Sequence, residues 1–245
     1  LVMLCAVIVG CRTKNNGVVD IAWGIGIGGA AFLTFLVSPH GTLRMAIVTG
    51  LIVTWATRLS LRIYLRNKGM GEDSRYAAWR EKWGESFFWR SIFQIYVLQG
   101  LIACVILIPA VIVNSSGGPS LGWFGFLAVL IWLIGFFFEV RADYELDLFT
   151  RKPENRGKFL SSGLFAYSRH PNYFGESLMW WGIALLALPI EPIGMLGLLS
   201  PVLLTYLLLR VSGVPMAEAR LEGSPDFEEY KLRTSSFIPL PPRAE

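Results

Sequence analysis

A run of about 20 apolar residues is long enough to cross the hydrocarbon core of a bilayer as a helix. A chain with several such runs has few other ways to fold. Here they lie near residues 1–11, 18–37, 43–65, 92–113, 121–142, 173–189 and 193–211. Hydrophobic residues make up 53% of the 245 and charged residues only 16%, against roughly 25% charged in a soluble domain. The expectation is an all-α, multi-pass membrane protein with seven transmembrane helices, cytosolic loops and a single domain. The first stretch is too short to span alone. Because the sequence opens on Leu1 rather than Met, it is expected to be the end of a longer helix.

The connections set the orientation. Arg12 and Lys14 lie in the first, Arg66, Lys68, Arg75, Arg80, Lys82 and Arg90 in the third, and Arg141, Arg151, Lys152, Arg156, Lys158 and Arg169 in the fifth. The second, fourth and sixth ("SPHGT", "NSSGGPS", "IEPI") contain no Lys or Arg, although Arg44 follows the second closely. By the positive-inside rule the odd loops are cytoplasmic. The tail, with Arg220, Lys231, Arg233 and Arg243, joins them. The net charge of +4 then reflects orientation, and no nucleic-acid partner is expected. Cys5, Cys11 and Cys104 form no CxxC pair, and with only His40 and His170 as imidazoles no metal site is expected. No internal repeat is visible.

"GIGIGG" at 24–29 matches GxGxxG, but that fingerprint needs a strand before it and a helix after it. Inside an apolar segment these glycines instead let neighbouring helices approach closely.

Polar groups gather around the fifth connection. Glu139, Asp143 and Asp147 fall on one stripe at i, i+4, i+8, and Arg141 and Glu145 are spaced to pair. A carboxylate as deep as Glu139 or Asp143 needs a partner. In "FTRKPENRGKFLSSGLFAYSRHPNYFGE", Pro153, Gly157 and Gly163 break regular structure among five basic residues. Pro171 is well suited to the first position of a helix. Free amides and the helix dipole at that start favour phosphate, with Arg169 and His170 as added donors. Asn172, Glu176 and Trp180 share a face, where an amide and a carboxylate can grip a ribose, a carboxamide or an adenine edge. The structural alternative is that they pair with a neighbouring helix. In the third segment, Arg62 and Arg66 can snorkel to the surface, whereas Arg58, about 12 Å deeper by helical rise, needs a partner. The tail, with Glu228, Glu229 and Tyr230, is expected to fold back under the bundle.

The stretch "RADYELDLFTRKPENRGKFLSSGLFAYSRHPNYFGESLMWWG" resembles the C-terminal region of the steroid 5α-reductases, and "NNGVVDIAWG" and "RLSLRIYLRNKGMGEDSRY" are similar to bacterial relatives. The resemblance implies a seven-helix reductase that takes hydride from NADPH to the Δ4 double bond of 3-oxo steroids or similar lipid enones. Residues 1–113 would form the substrate side and 121–245 the NADPH side. It implies cofactor contacts at Asp143, Arg151, Asn155, Arg156, Tyr167, Arg169, His170, Asn172, Glu176, Arg210 and Tyr230. It also implies a monomer among membrane lipids, in a bacterial inner membrane or, in a eukaryote, the endoplasmic reticulum.

Hydride addition to an enone leaves charge on the carbonyl oxygen, which a donor must meet. The animal enzymes use a Gln-Glu pair and a Tyr; the first glutamine here is Gln94, so that pair is absent. Asp20, set among apolar neighbours, is the first substitute and Tyr64 the second, with a structural Asp20 that caps its helix as the alternative. Trp23, Trp55 and Arg58 are the candidate substrate contacts, with Phe32 and Phe93 as further aromatic walls. Two other readings stay open: an S-adenosylmethionine-dependent membrane methyltransferase of the isoprenylcysteine or phospholipid type, favoured by Arg210 with Glu228 and Glu229, and a non-catalytic lipid-binding protein.

Overall fold

The structure is a computed structural model that describes residues 1–219 and 221–243; Arg220 of the basic tail lies outside the described residues. Among those residues the regular structure is helical, apart from one parallel bridge between Ser168 and Ser235. The chain divides into two compact units, Leu1–Ser120 with Pro189–Gly197, and Leu121–Leu188 with Leu198–Glu245.

In the first unit, α2 (Val18–Leu36) packs against α1 (Val2–Thr13), α3 (Leu43–Asn67) and α6 (Leu98–Ser116). A left-handed Lys14 ends α1, and the Thr42 hydroxyl accepts from Met45 N to start α3. Asp73 caps α4 (Ser74–Trp83) by accepting from Arg75 N. α5 (Phe87–Ser91) and a π-helical turn over Ile92–Val97 then lead into α6. That wider turn brings Ile95 and Tyr96 inward together, at 1% and 2% exposure. Two buried polar anchors hold the opposite end. Asn114 donates to Ala31 O, Thr34 Oγ1 and Thr49 Oγ1, joining α2, α3 and α6. Arg44, the basic residue beside a loop otherwise without charge, is 2% exposed and donates to the carbonyls of Pro119 and Ser120.

In the second unit, α7 (Gly122–Thr150) packs along α8 (Pro171–Ala187), and α8 against α9 (Leu199–Arg210). The α7–α8 crossing brings backbone against backbone. A Cβ on Gly135 would lie 2.6 Å from Gly175 O, and one on Gly175 would lie 2.5 Å from Gly135 O. α10 (Val214–Glu218), α11 (Pro225–Arg233) and the tail follow. The tail does fold back: Arg169 N donates to Ser235 O, Ser168 Oγ to Phe237 O, and Leu240 N to Tyr167 O.

Five helical runs are long and apolar enough to cross a bilayer among the described residues: Val18–Leu36, Leu43–Asn67, Ser74–Ser116, Gly122–Thr150 and Ile193–Glu218. Two of the seven expected stretches fall short. The first folds as α1, with 12 residues, and the sixth as α8, with 17, cut between its starting Pro171 and the turn after Ala187. Two others are longer than hydropathy implies. The fourth continues a helical run that begins at Ser74, and α7 extends to Thr150, because nothing breaks the helix before Pro153.

Candidate functional site

The second unit gathers most of the residues implied as cofactor contacts around the α7 C-terminus, the 151–170 loop and the α8 N-terminus. On α7, Glu139 and Asp143 are buried at 3% and 4% exposure. Asp143 Oδ1 accepts from Asn172 Nδ2 at 3.3 Å, so one turn of α7 and the first turn of α8 are tied by a carboxylate–amide pair. Glu145 meets Arg141 at 2.8 Å, as the spacing predicts, and its other oxygen accepts from Leu164 N at 2.9 Å. Asn155 donates to Phe149 O at 2.8 Å, closing the α7 C-terminus. Around it Arg151, Lys152, Arg156 and Lys158 are exposed, and none makes an ion pair among the described residues.

α8 starts at Pro171 as expected, with His170 as N-cap and no side-chain cap. The neighbouring cations behave differently from the expectation. Arg169 Nε and His170 Nε2 each lie 2.8 Å from Glu218 Oε1, and Arg169 Nη1 donates to Thr234 O at 2.6 Å. Since a carboxylate only accepts, His170 presents its Nε2–H to Glu218. Both are thereby engaged, Arg169 by an acid and the tail and His170 by the same acid, whereas the cations of the 151–158 loop are exposed to an incoming anion. Tyr173 stacks on the His170 ring, with centroids 5.2 Å apart. Glu176 is half-buried on the same helix.

Tyr230 donates to Phe165 O and stacks on Phe159, and burial pushes its phenol above the ordinary value. A cavity of about 340 Å³ opens there, lined by Phe159, Tyr230, Ser161 and Thr234 and by the charged Asp226, Glu229 and Arg233. Tyr167 is half exposed, and Arg210 is exposed at the end of α9.

The first unit holds the residues assigned to catalysis and substrate. Asp20 Oδ1 accepts from the Tyr76 hydroxyl at 2.6 Å and Oδ2 from Arg75 Nη2 at 2.7 Å; Arg75 also pairs with Asp73. Both oxygens of Asp20 are therefore occupied by side chains, and it does not cap its helix: Gly17 is the N-cap of α2, with no side-chain cap bond. Tyr64 is half exposed on α3, and its hydroxyl has no hydrogen-bond partner among the described residues. Trp55 is 1% exposed and belongs to the core, whereas Trp23 and Arg58 are half-buried, and Phe32 and Phe93 are exposed.

Beside Asp20 lies a second polar cluster. Glu72 accepts from Arg80 at 2.8 Å and from Asn16 N at 2.8 Å, and Asn16 Oδ1 accepts from the Tyr96 hydroxyl. Burial alone would raise the carboxyls of Glu72 and Asp73. The Arg80 and Asn16 hydrogen bonds outweigh it at Glu72, and the Arg75 bonds at Asp73, so both sit below the ordinary value.

Sequence reasoning missed Glu218, Asn16, Tyr76 and Tyr96. Each is defined by a partner at least 48 positions away. Only the run "GEDSRY", two acids before an arginine at the end of a long helix, hinted that the third connection carried more than loop charge.

A family model described as a protein of unknown function, DUF1295, matches residues 6–234. An uncharacterized protein of Schizosaccharomyces pombe is 29% identical over 198 residues, covering 69% of this chain and 56% of that protein. The steroid 5-alpha-reductase DET2 of Gossypium hirsutum is 39% identical over 68 residues, 27% of this chain and 26% of that enzyme. The 3-oxo-5-alpha-steroid 4-dehydrogenase 1 of Bos taurus is 36% identical over 61 residues, covering 25% and 24%. The match thus spans little more than half of the first relative and about a quarter of each reductase. No solved structure matches.

Proposed function

We propose, from the premise that this chain belongs to the DUF1295 family, which is related to the steroid 5-alpha-reductases, that it is a membrane reductase using NADPH to reduce the Δ4 double bond of a 3-oxo steroid or a similar lipid enone. The observation that carries this reading is the 36–39% identity to two such enzymes over 61–68 residues. The geometry supports it at the cofactor end. Arg151, Lys152, Arg156 and Lys158 are four cations without an ion pair among the described residues, a donor set that suits a ligand with several phosphates. The neighbouring cavity, with the stacked Phe159 and Tyr230 and the polar Ser161 and Thr234, suits a flat base with its ribose.

When bound, the nicotinamide supplies the hydride. The chain's own part is to hold the dinucleotide through the basic loop, to orient it with the Asp143–Asn172 pair and Glu176, and to meet the substrate's carbonyl oxygen with a donor. Of the two candidate donors Tyr64 keeps its hydroxyl without a hydrogen-bond partner among the described residues, whereas Asp20 is already accepting from Arg75 and Tyr76. Arg169 and His170 act through Glu218 as positioning residues of the loop.

The test is direct. Full-length protein in native membranes is incubated with NADPH and a panel of enones including testosterone and progesterone, and 4,5-reduced products are sought by mass spectrometry. Turnover with NADPH, and quenching of NADPH fluorescence by purified protein, are expected. Binding of S-adenosylmethionine with no response to NADPH would transfer the chain to the methyltransferase reading, and binding of neither to the lipid-binding one.

A further inference from the structure

Within the first unit, two cavities meet end to end. One is a groove of about 650 Å³ between α2 and α3, bounded by apolar residues such as Ile25, Phe32, Val53 and Leu61. The other, of about 220 Å³, is lined by Thr13, Asn15, Asn67 and Lys68. Ile21 and Tyr64 line both, so the apolar trough and the polar mouth abut at those two residues. The trough follows α2 from Ile21 to Phe32 and α3 from Tyr64 to Val53, about 16 Å by helical rise. Its volume lies within the range of small-molecule sites, about 300–1,000 Å³. The mouth sits at the end of a span, where Tyr and Lys ordinarily meet the headgroup layer.

From this trough and mouth we infer a binding site for a single-chain amphiphile with an anionic head, of the fatty-acid type: the chain lies along α2 and α3, and the carboxylate sits at Lys68, Asn67 and Asn15. Charge complementarity selects the head. Lys68 is exposed and makes no ion pair among the described residues, while the side-chain amides of Asn15 and Asn67 bring further donors to the same mouth. A lone hydroxyl, as on a sterol, would leave most of that donor set unused. One straight trough between two helices takes one chain. The inference shares Tyr64 with the reductase reading but does not depend on it, since binding is measured without cofactor or turnover.

Gly29 supplies the handle. It lines the trough, and a Cβ there would meet nothing within 4 Å, so a larger side chain fills the groove without disturbing the helix pair. Purified full-length protein in detergent is photolabelled with a diazirine analogue of palmitate, and labelled peptides are mapped. Label concentrated on α2 and α3 and displaced by palmitate is expected, with at least tenfold less in Gly29→Phe and in the independent Leu61→Trp, at unchanged helical content. Lys68→Glu is expected to abolish the preference for palmitate over hexadecanol as competitor. Label spread evenly over every apolar helix, undiminished label in folded Gly29→Phe and Leu61→Trp, equal competition by hexadecanol in the parent protein, or stronger competition by a two-chain phosphatidylglycerol would each overturn the assignment.

Discussion

Glu218 Oε1 accepts from Arg169 Nε at 2.8 Å, joining the loop that enters α8 to a residue 49 positions later. The same oxygen receives His170 Nε2, so loss of this one acid strands two buried donors. Glu218→Ala is expected to cost on the order of 3 kcal/mol, the usual penalty for breaking a largely buried pair from one side. It should also expose the tail to limited proteolysis after residue 219. Arg169→Lys, which cannot bridge Glu218 and Thr234 at once, should produce the same cleavage more weakly; a wild-type digestion pattern in both would mean that the contact does not hold the tail.

At Asp20 the expectation concerns stability first. Asp20→Ala leaves the Tyr76 hydroxyl without its acceptor and Arg75 with Asp73 alone, and should lower stability by about 1–3 kcal/mol, read as a thermal shift. Tyr76→Phe removes one bond and should cost less. If Tyr64 is the proton donor, Tyr64→Phe slows turnover while leaving the melting temperature and NADPH affinity unchanged, a separation that Asp20→Ala cannot show.

Cofactor binding should track the loop cations and the α8 face separately. Arg151→Ala and Arg156→Ala should each weaken NADPH about tenfold, roughly 1.4 kcal/mol, with the loss shrinking in high salt because both are exposed. Asn172→Ala and Glu176→Ala are expected to abolish binding with the fold intact, and fluorescence titration reads all four. Parent-like affinity in both α8 variants would place the dinucleotide elsewhere.

Glu72 gives a pH signature. In the folded protein its carboxyl is held below the ordinary glutamate value of 4.5 by the Arg80 and Asn16 hydrogen bonds, which outweigh its burial, so its contribution is fully present above that pH and is lost as pH falls through the lower folded value. Thermal melts taken from pH 7 down to 3 should fall more steeply in the parent protein than in Glu72→Gln below about pH 4.5. Parallel acid limbs would show that Arg80 and Asn16 do not favour the charged form.

The α7–α8 crossing admits no side chain. Gly175→Ala places a methyl 2.5 Å from Gly135 O and 2.6 Å from Glu139 N, distances that force the helices apart, and Gly175→Leu should prevent recovery of monodisperse protein. Gly29→Ala, in open space, is the matched control and should behave as the parent in size-exclusion chromatography.

The sequence made the local features legible. Hydropathy marked the helices, the i, i+4 spacing predicted Arg141–Glu145, and a proline at the first helical position placed the start of α8 at Pro171. It also pointed to a folded-back tail. What it could not supply were partners set by tertiary packing. Nothing in the run around Arg169 and His170 says that an acid from "MAEA" will occupy both, and nothing around Asp20 names Arg75 and Tyr76, 55 and 56 positions on. Both clusters looked like open sites because a buried charge seen alone always looks unpaired. The count of spans drifted for a related reason: hydropathy averages over windows and does not see where Pro171 or a π turn begins or continues a helix.

The loop before α8 draws its hydrogen bonds from residues 234–240, through Arg169 with Ser235, Ser168 with Phe237 and Tyr167 with Leu240. During synthesis this loop must therefore wait, half-built, until those residues have left the ribosome. A chaperone or protease that reaches this loop would find the nascent protein most vulnerable there, after its apolar helices have already formed.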